Sequence, residues 1–330
     1  MIAELFNRIA EEEQGERYKF YPRPSSAGPD RCIRSLVYDA SSVPSKPFTG
    51  RTLLVFDDGS WHEQLSMDWL RKSVFKVHSE QMKVKCPPPF TWGHIDFMVT
   101  TPLKIDILVE HKAINHFSFQ RYWDDEYPFD YLTQCALYSH GIQTHLNPAC
   151  KWIILLLKNK NTAQYLELFC NYDIILDNLH VTEKILSTGE TKGTDEYPLL
   201  SIDNIVKDAC NKFYSVFDYR DKKTLPRRPF EIDDWHCQYC GWGDICWEGY
   251  EQEFKTFEKG QLPDAAEAIK KYFVASEEKK KVTKLYDVNR DTIKALMIEN
   301  NLNEAVVENF LCRLTLTKDK KHRLYIKQIK

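Results

Sequence analysis

Two carboxylates and a lysine stand in two short apolar runs: Asp96 in Gly93-His94-Ile95-Asp96-Phe97-Met98-Val99, and Glu110 with Lys112 in Leu108-Val109-Glu110-His111-Lys112. Both runs have strand composition. Side chains alternate along a strand, so Glu110 and Lys112 share one face and His111 turns to the other. With Asp96 on a neighbouring strand, the group supplies oxygen ligands for a hard cation such as Mg²⁺ or Mn²⁺. It also supplies an ammonium that can orient or activate water and offset phosphoryl charge. His111 adds its backbone carbonyl as a candidate metal ligand. An ordinary ion pair at a strand edge would show the same short pattern.

A second constellation is Cys237-Gln238-Tyr239-Cys240 followed by Cys246, a C-x2-C-x5-C spacing that gathers three soft ligands in a compact loop. Zinc and iron–sulfur clusters both take such sets, and by spacing alone a four-cysteine zinc site is the simpler reading. A fourth ligand must come from elsewhere. His236 is adjacent to Cys237 and badly placed to share its metal, whereas Cys32 stands at a loop–helix junction far upstream. Cys86, Cys135, Cys150, Cys170, Cys210 and Cys312 show no ligand spacing and read as buried apolar residues.

Around the acidic group, His62 precedes the strands on a helix, and Gln134 and Tyr138 follow at i and i+4 on another helix, facing one way. This ordered set, His62, Asp96, Glu110-x-Lys112, Gln134-x-x-x-Tyr138, resembles the active-site pattern of the RecB/AddB-type exonuclease family of the PD-(D/E)XK superfamily. The resemblance implies a metal held by His62, Asp96 and Glu110, water served by Lys112, and a site supported by Gln134 and Tyr138 that contacts DNA. Ile95 stands where the superfamily's name has proline, a substitution many relatives share. A branch of the family, including AddB and the CRISPR-associated adaptation nucleases, holds a [4Fe–4S] cluster with one cysteine before the core and three after it. The resemblance therefore implies that Cys32, Cys237, Cys240 and Cys246 hold such a cluster. It would be a staple closing a loop of about 200 residues. The implied function is a metal-dependent DNA exonuclease of recombination, repair or phage DNA processing. Its partner is DNA, as single strands or duplex ends; a helicase, an annealing protein or a CRISPR adaptation protein remains open as a further partner. A DNA-end binding or scaffold protein with a four-cysteine zinc site, needing a partner for activity, is the competing reading.

The elements that must position these residues are legible in outline. Residues 3–12 suit an amphipathic helix, a Pro/Gly/Ser loop leads to a second helix after Asp30, and residues 57–77 read as a longer helix. Three strand-like runs follow between 84 and 109. Then come a helix over 127–140, the strand Trp152-Ile-Ile-Leu-Leu-Leu-Lys-Asn and its partner Tyr165-Leu-Glu-Leu-Phe-Cys-Asn-Tyr, and a helical region over 182–219. This order predicts an α/β fold, a restriction-endonuclease-like core whose mixed sheet is flanked by helices. Tyr122, Trp123 and Tyr127 are candidates for stacking on bases, or for packing on the core. The expected domains are 1–250, the nuclease domain closed by the cysteines, and 251–330, an extension with helices at 264–288 and 290–300 and a β-like end. The end of the chain is similar to viral recombination exonucleases of the YqaJ and lambda type.

The net charge of −3 gives no global basic field, so contact with nucleic acid must use local patches. The longest apolar run, 152–157, falls far short of the roughly 20 residues of a spanning helix, which argues against a membrane partner. The first residues lack a signal-peptide layout. The expectation is a cytoplasmic protein, in the host cytoplasm if viral, whose ten cysteines are free or metal-bound rather than paired in disulfides.

Overall fold

The run Trp152–Asn159 is apolar on both sides, as befits a strand covered on two faces, whereas Tyr165–Asp173 alternates buried and half-buried positions. These two strands and their neighbours form the centre of a computed structural model that describes residues 2–15, 19–193, 197–248, 263–300, 302–316 and 322–328. In chain order the first unit contains α1 (Ile2–Glu12), α2 (Ile33–Ala40), α3 (Gly50–Leu70), β1 (Lys76–His78), β2 (Lys83–Lys85), β3 (Trp92–His94), β4 (Phe97–Thr100) and β5 (Asp106–Ile114). Then follow α4 (His116–Trp123), α5 (Phe129–His145), β6 (Trp152–Asn159), β7 (Tyr165–Asp173), β8 (Asn178–Leu186), β9 (Thr191–Gly193), β10 (Leu200–Asp203), α6 (Ile205–Asp221), α7 (Trp235–Gln238) and α8 (Gly243–Cys246).

The fold is mixed α/β. An eight-stranded sheet runs β1-β4-β5-β6-β7-β8-β10, with β9 on β8. Only β5 and β6 are parallel among its described pairs, because α4 and α5 carry the chain across one face between them. The main core lies on that face, where Leu108 and Ile114 of β5 meet Leu132, Cys135, Ala136 and Leu137 of α5. On the other face a smaller core joins Ile107 and Val109 of β5 to Met67 of α3, Phe97 and Leu156. The β2–β3 ribbon is separate from the large sheet. No helix among the described residues is long and apolar enough to cross a membrane.

Several boundaries differ from the sequence reading. The 57–77 helix is α3, which starts at Gly50 because Thr49 caps it, accepting from Thr52 N at 3.4 Å, and ends at Leu70. Residues 76–78 then pair with β4 as a strand. The run around Asp96 is two strands rather than one, broken at Ile95-Asp96 where the ribbon gives way to the sheet. Residues 182–203 hold the rest of β8, then β9 and β10, and only α6 is helical. Cross-strand pairing decides that segment, β8 with β7 and both β9 and β10 with β8. The helix expected over 127–140 continues to His145.

The chain divides into two compact units, Met1–Glu248 and Gly249–Lys330. The 250/251 boundary of the sequence reading falls in residues 249–262, outside those described. In the second unit the two expected helices are one, α9 (Pro263–Glu299), since Asn289 does not interrupt it. A three-stranded antiparallel sheet follows, β11 (Glu304–Val307), β12 (Phe310–Leu316) and β13 (His322–Gln328). Met297 packs there with Cys312 and Leu314.

The ribbon sits on α5 through a glycine. A Cβ at Gly141 would lie 2.4 Å from the carbonyl oxygen of Lys85, whereas one at Gly59 on α3 would meet nothing within 4 Å. Gly141→Ala should therefore destabilise the chain by about 1–3 kcal/mol in urea unfolding, the cost of overpacking. Gly59→Ala should be neutral or stabilising by up to ~1 kcal/mol, the gain in helix propensity.

Candidate metal centre and cysteine cluster

Alternation along β5 places Glu110 and Lys112 on the α5 face of the sheet and His111 on the α3 face. Glu110 is 0% exposed. Its Oε1 accepts from Lys112 Nζ and, at 2.6 Å, from Gln134 Nε2. Its Oε2 has no hydrogen-bond partner among the described residues. The same Gln134 amide lies 3.3 Å from Tyr138 Oη, so the two α5 residues form one hydrogen-bonded unit beneath the carboxylate. Asp96, at the start of β4, accepts the backbone N–H of His111 at 2.7 Å and stands 3.8 Å from Lys112 Nζ, both through Oδ2.

Burial, then the negative charge of Asp96, pushes the Glu110 carboxyl up to about 8. Burial works against the Lys112 ammonium, but Glu110 and Asp96 outweigh it and raise its pKa. Without a cation the Glu110 carboxyl therefore keeps its proton near neutral pH, and a cation that displaced it would meet a buried oxygen to which no described residue donates. Leaving such an atom unmatched costs on the order of 1–3 kcal/mol, which a divalent cation would repay. Two carboxylates and a backbone carbonyl suit Mg²⁺, which keeps several waters and binds substrate phosphate rather than filling an all-protein cage. No group of three or more His, Cys, Asp or Glu side chains among the described residues is arranged to hold a metal ion, so the first coordination sphere would rest on that smaller set.

Among the described residues no hydrogen bond or ion pair joins the His62 side chain to this group. His62 lies on α3 among Lys158, Asp58 and Lys160, with burial and the two lysines lowering its pKa. His111, on the same side, is held neutral with a pKa near 3 by burial, then Lys112 and Lys158, and its Nε2 meets Ser66 Oγ at 3.0 Å. The His111 side chain leaves β5 on the face opposite Glu110. The neighbouring residue Glu63 does act on it: burial and then Asp96 raise the Glu63 pKa, and Glu63 in turn raises that of Glu110. Gln81 Nε2 fixes Glu63 Oε1 at 2.8 Å. Only an acidic neighbour of a more conspicuous histidine marked Glu63 in the sequence.

Cys32 is the N-cap residue of α2, Cys237 lies in α7, Cys240 follows it, and Cys246 ends α8. The thiols share one neighbourhood: burial, then Cys32 and Cys246, raises the pKa of Cys240, and the same two cysteines raise that of Cys237. They are not arranged as a ready metal site. Yet the segments that bear them are tied together. Trp242 Nε1 donates to Val43 O at 2.9 Å, Lys46 N donates to Gly241 O at 2.9 Å, and Arg34 Nη1 donates to Pro226 O at 2.8 Å. Tyr38 stacks on Trp242, and Cys246 contributes to raising its pKa. The other six cysteines are buried.

No family model matches the chain, and no curated protein matches it. Among solved structures, SSO0001 is similar at 14% identity and a TM-score of 0.38, over 74% of this chain and 96% of that one. An alkaline exonuclease (LHK-Exo) from Laribacter hongkongensis is similar at 9% identity and a TM-score of 0.35, over 67% and 95%. Likenesses this distant carry no argument, so the architecture rests on the strand order and the site on its own contacts.

The aromatic candidates of the sequence, Tyr122, Trp123 and Tyr127, pack against the main core. Lys192 Nζ covers the Trp123 ring at 4.4 Å and Lys184 Nζ covers Tyr127 at 4.0 Å.

The electrostatic neighbourhood makes a discriminating expectation for Mn²⁺ binding by titration calorimetry. Glu110→Gln should abolish binding and Glu63→Gln should weaken it, whereas His62→Ala should leave it close to that of the unaltered chain.

Proposed function

We propose that the chain is a divalent-metal-dependent deoxyribonuclease of the PD-(D/E)XK type that hydrolyses phosphodiester bonds at DNA ends. The observation that carries this reading is the fully buried Glu110 carboxylate, one oxygen of which is shared by Lys112 and Gln134 while the other has no donor among the described residues. A structural ion pair would be expected to satisfy both oxygens.

Asp96, Glu110 and the His111 carbonyl would hold the cation, which supplies Lewis-acid polarisation of the phosphoryl oxygens and an activated water. Lys112, kept protonated by the two carboxylates, would orient that water and face the charge that grows on phosphorus. Gln134 keeps Glu110 at a fixed angle, and Tyr138 in turn braces Gln134. In the reaction, the water oxygen bonds to phosphorus as the bond to the 3′ oxygen breaks, leaving a 5′-phosphate and a 3′-hydroxyl.

For the cysteines we infer a thiolate-bound [4Fe–4S] cluster on Cys32, Cys237, Cys240 and Cys246, with zinc as the alternative. Support comes from the shared neighbourhood of the four thiols and from the contacts that already join residues 34–46 to 226–242. Assembly of the cluster would draw the sulfurs together and reinforce that junction, a structural role separate from the hydrolysis.

The test is anaerobically purified chain with Mn²⁺ and DNA labelled separately at each end. Asp96→Asn keeps an acceptor for the His111 N–H, so it should fold and keep its colour while cleavage falls by about a hundredfold or more, the scale of losing an activated water. Metal-independent cleavage, or full activity in Asp96→Asn, would sink the nuclease reading. Cys237→Ser should lose absorbance near ~400 nm, as expected of thiolate-bound iron, and should melt at lower temperature. A colourless zinc-containing protein would overturn the cluster.

A further inference from the structure

We propose that the outward face of the β2–β3 ribbon is the track on which a single strand of DNA is led to the carboxylates. Trp92 stacks on a base there, and Lys83 and Lys85 take phosphates. This rests on the nuclease reading and goes beyond it by naming the form of substrate and the surface that selects it.

The register of the ribbon sets its two faces. Lys83 pairs with His94, Val84 with Gly93 and Lys85 with Trp92. Val84 and Gly93 are buried, while Lys83, Lys85, Trp92 and His94 are exposed, so all four project outward together. Trp92 is 44% exposed, with Lys83 Nζ 4.8 Å from its ring centroid. On the buried side of the ribbon Pro24 and Tyr138 lie against Gly93.

The inner side of the ribbon is fastened to the site. A Cβ at Gly93 would come within 2.2 Å of the Tyr138 ring, so the strand can lie there only because the residue is glycine. Tyr138 leads through Gln134 to Glu110. Ile95 N donates to Met82 O at 3.1 Å and Gln81 N donates to Asp96 O at 2.9 Å, which stitches the Asp96 backbone to the segment that enters β2. The ribbon therefore stands at a fixed offset from the two carboxylates, and the DNA strand would reach them round its edge.

Chemistry selects the occupant. Neither strand of the ribbon carries an acidic residue, and the acid that precedes it, Glu80, is paired with Arg71 at 2.5 Å. Cations beside an exposed aromatic ring suit unpaired bases on a phosphate chain, since stacking accepts any base and needs the base free of its partner. In a duplex the base faces are already stacked within the helix. The rings at 122, 123 and 127 are less open to a base, because they pack against the main core.

The experiment reads binding without turnover, in EDTA, by fluorescence anisotropy of a labelled oligothymidylate of about 12 nucleotides on the full chain. The unaltered chain should bind the strand more tightly than a blunt duplex of equal length. Trp92→Ala should weaken strand binding by about tenfold or more, the scale of one lost base stack, and Trp92→Phe should keep most of it. In Lys83→Ala/Lys85→Ala, the slope of log affinity against log salt should fall by about 1.4, since each phosphate contact on a single strand contributes about 0.7. No strand binding by the unaltered chain, equal affinity for duplex, unchanged affinity in Trp92→Ala or an unchanged slope in the lysine variant would each overturn the track. A chain that binds through Trp92 but never cleaves would overturn the nuclease reading alone.

Discussion

A carboxylate buried under a sheet is unstable company for its neighbours unless they are chosen for it, and Glu110 dictates much of what surrounds it. The strand that carries it must have a face deep enough to exclude water, and the helix across that face must bring an amide rather than an alkyl group to the right height. Lys112, two residues along, must share its side of the strand. Each requirement follows from placing one charge in a low-dielectric environment, where a missing partner is expensive. The parallel pairing of β5 with β6 is what allows it, because the crossover lays α5 directly over the carboxylate.

Helix α5 therefore serves several surroundings at once. Gln134 and Tyr138 face the carboxylate, and Gly141 lies against the carbonyl of Lys85 in the ribbon. In its first turn Asp130 accepts from Asp30 N at 3.0 Å and pairs with Arg31 at 3.3 Å, in the loop just before Cys32. Lys212 closes the same loop from α6 by donating to Arg31 O at 2.7 Å. The segment that leads to the cysteines and the segment that holds the acidic site are thus hung on one rigid rod.

The sequence showed the parts of this that depend on local pattern. Strand alternation put Glu110 and Lys112 on one face, and helical spacing put Gln134 and Tyr138 on another; the fold brings the four together with Asp96. It failed where tertiary pairing overrides local preference. Residues 182–186 complete β8 on the edge that β7 offers, and β9 and β10 then pair with β8 in turn. Residues 57–77 were read as one helix across a turn whose partner, β4, lies far along the chain. Adjacent residues on a helix point about 100° apart, and which of His62 and Glu63 turns toward Asp96 depends on how α3 is rotated on the sheet. Nothing within α3 itself fixes that rotation. Trp92 was passed over because a ribbon of two three-residue strands is too short to announce which side faces water.

The junction between residues 34–46 and 226–242 also has a consequence in time. The N-terminal segment finds its partners only after roughly 200 further residues have been made, which at ~5–20 residues per second is on the order of ten to forty seconds of synthesis. Through that interval Leu36, Val37 and Tyr38, all buried in the finished protein, have no α6 or Trp242 to lie against. Emergence of α6 and then of Trp242 is what covers these residues, so a nascent chain stalled before them would display Leu36, Val37 and Tyr38 to chaperones.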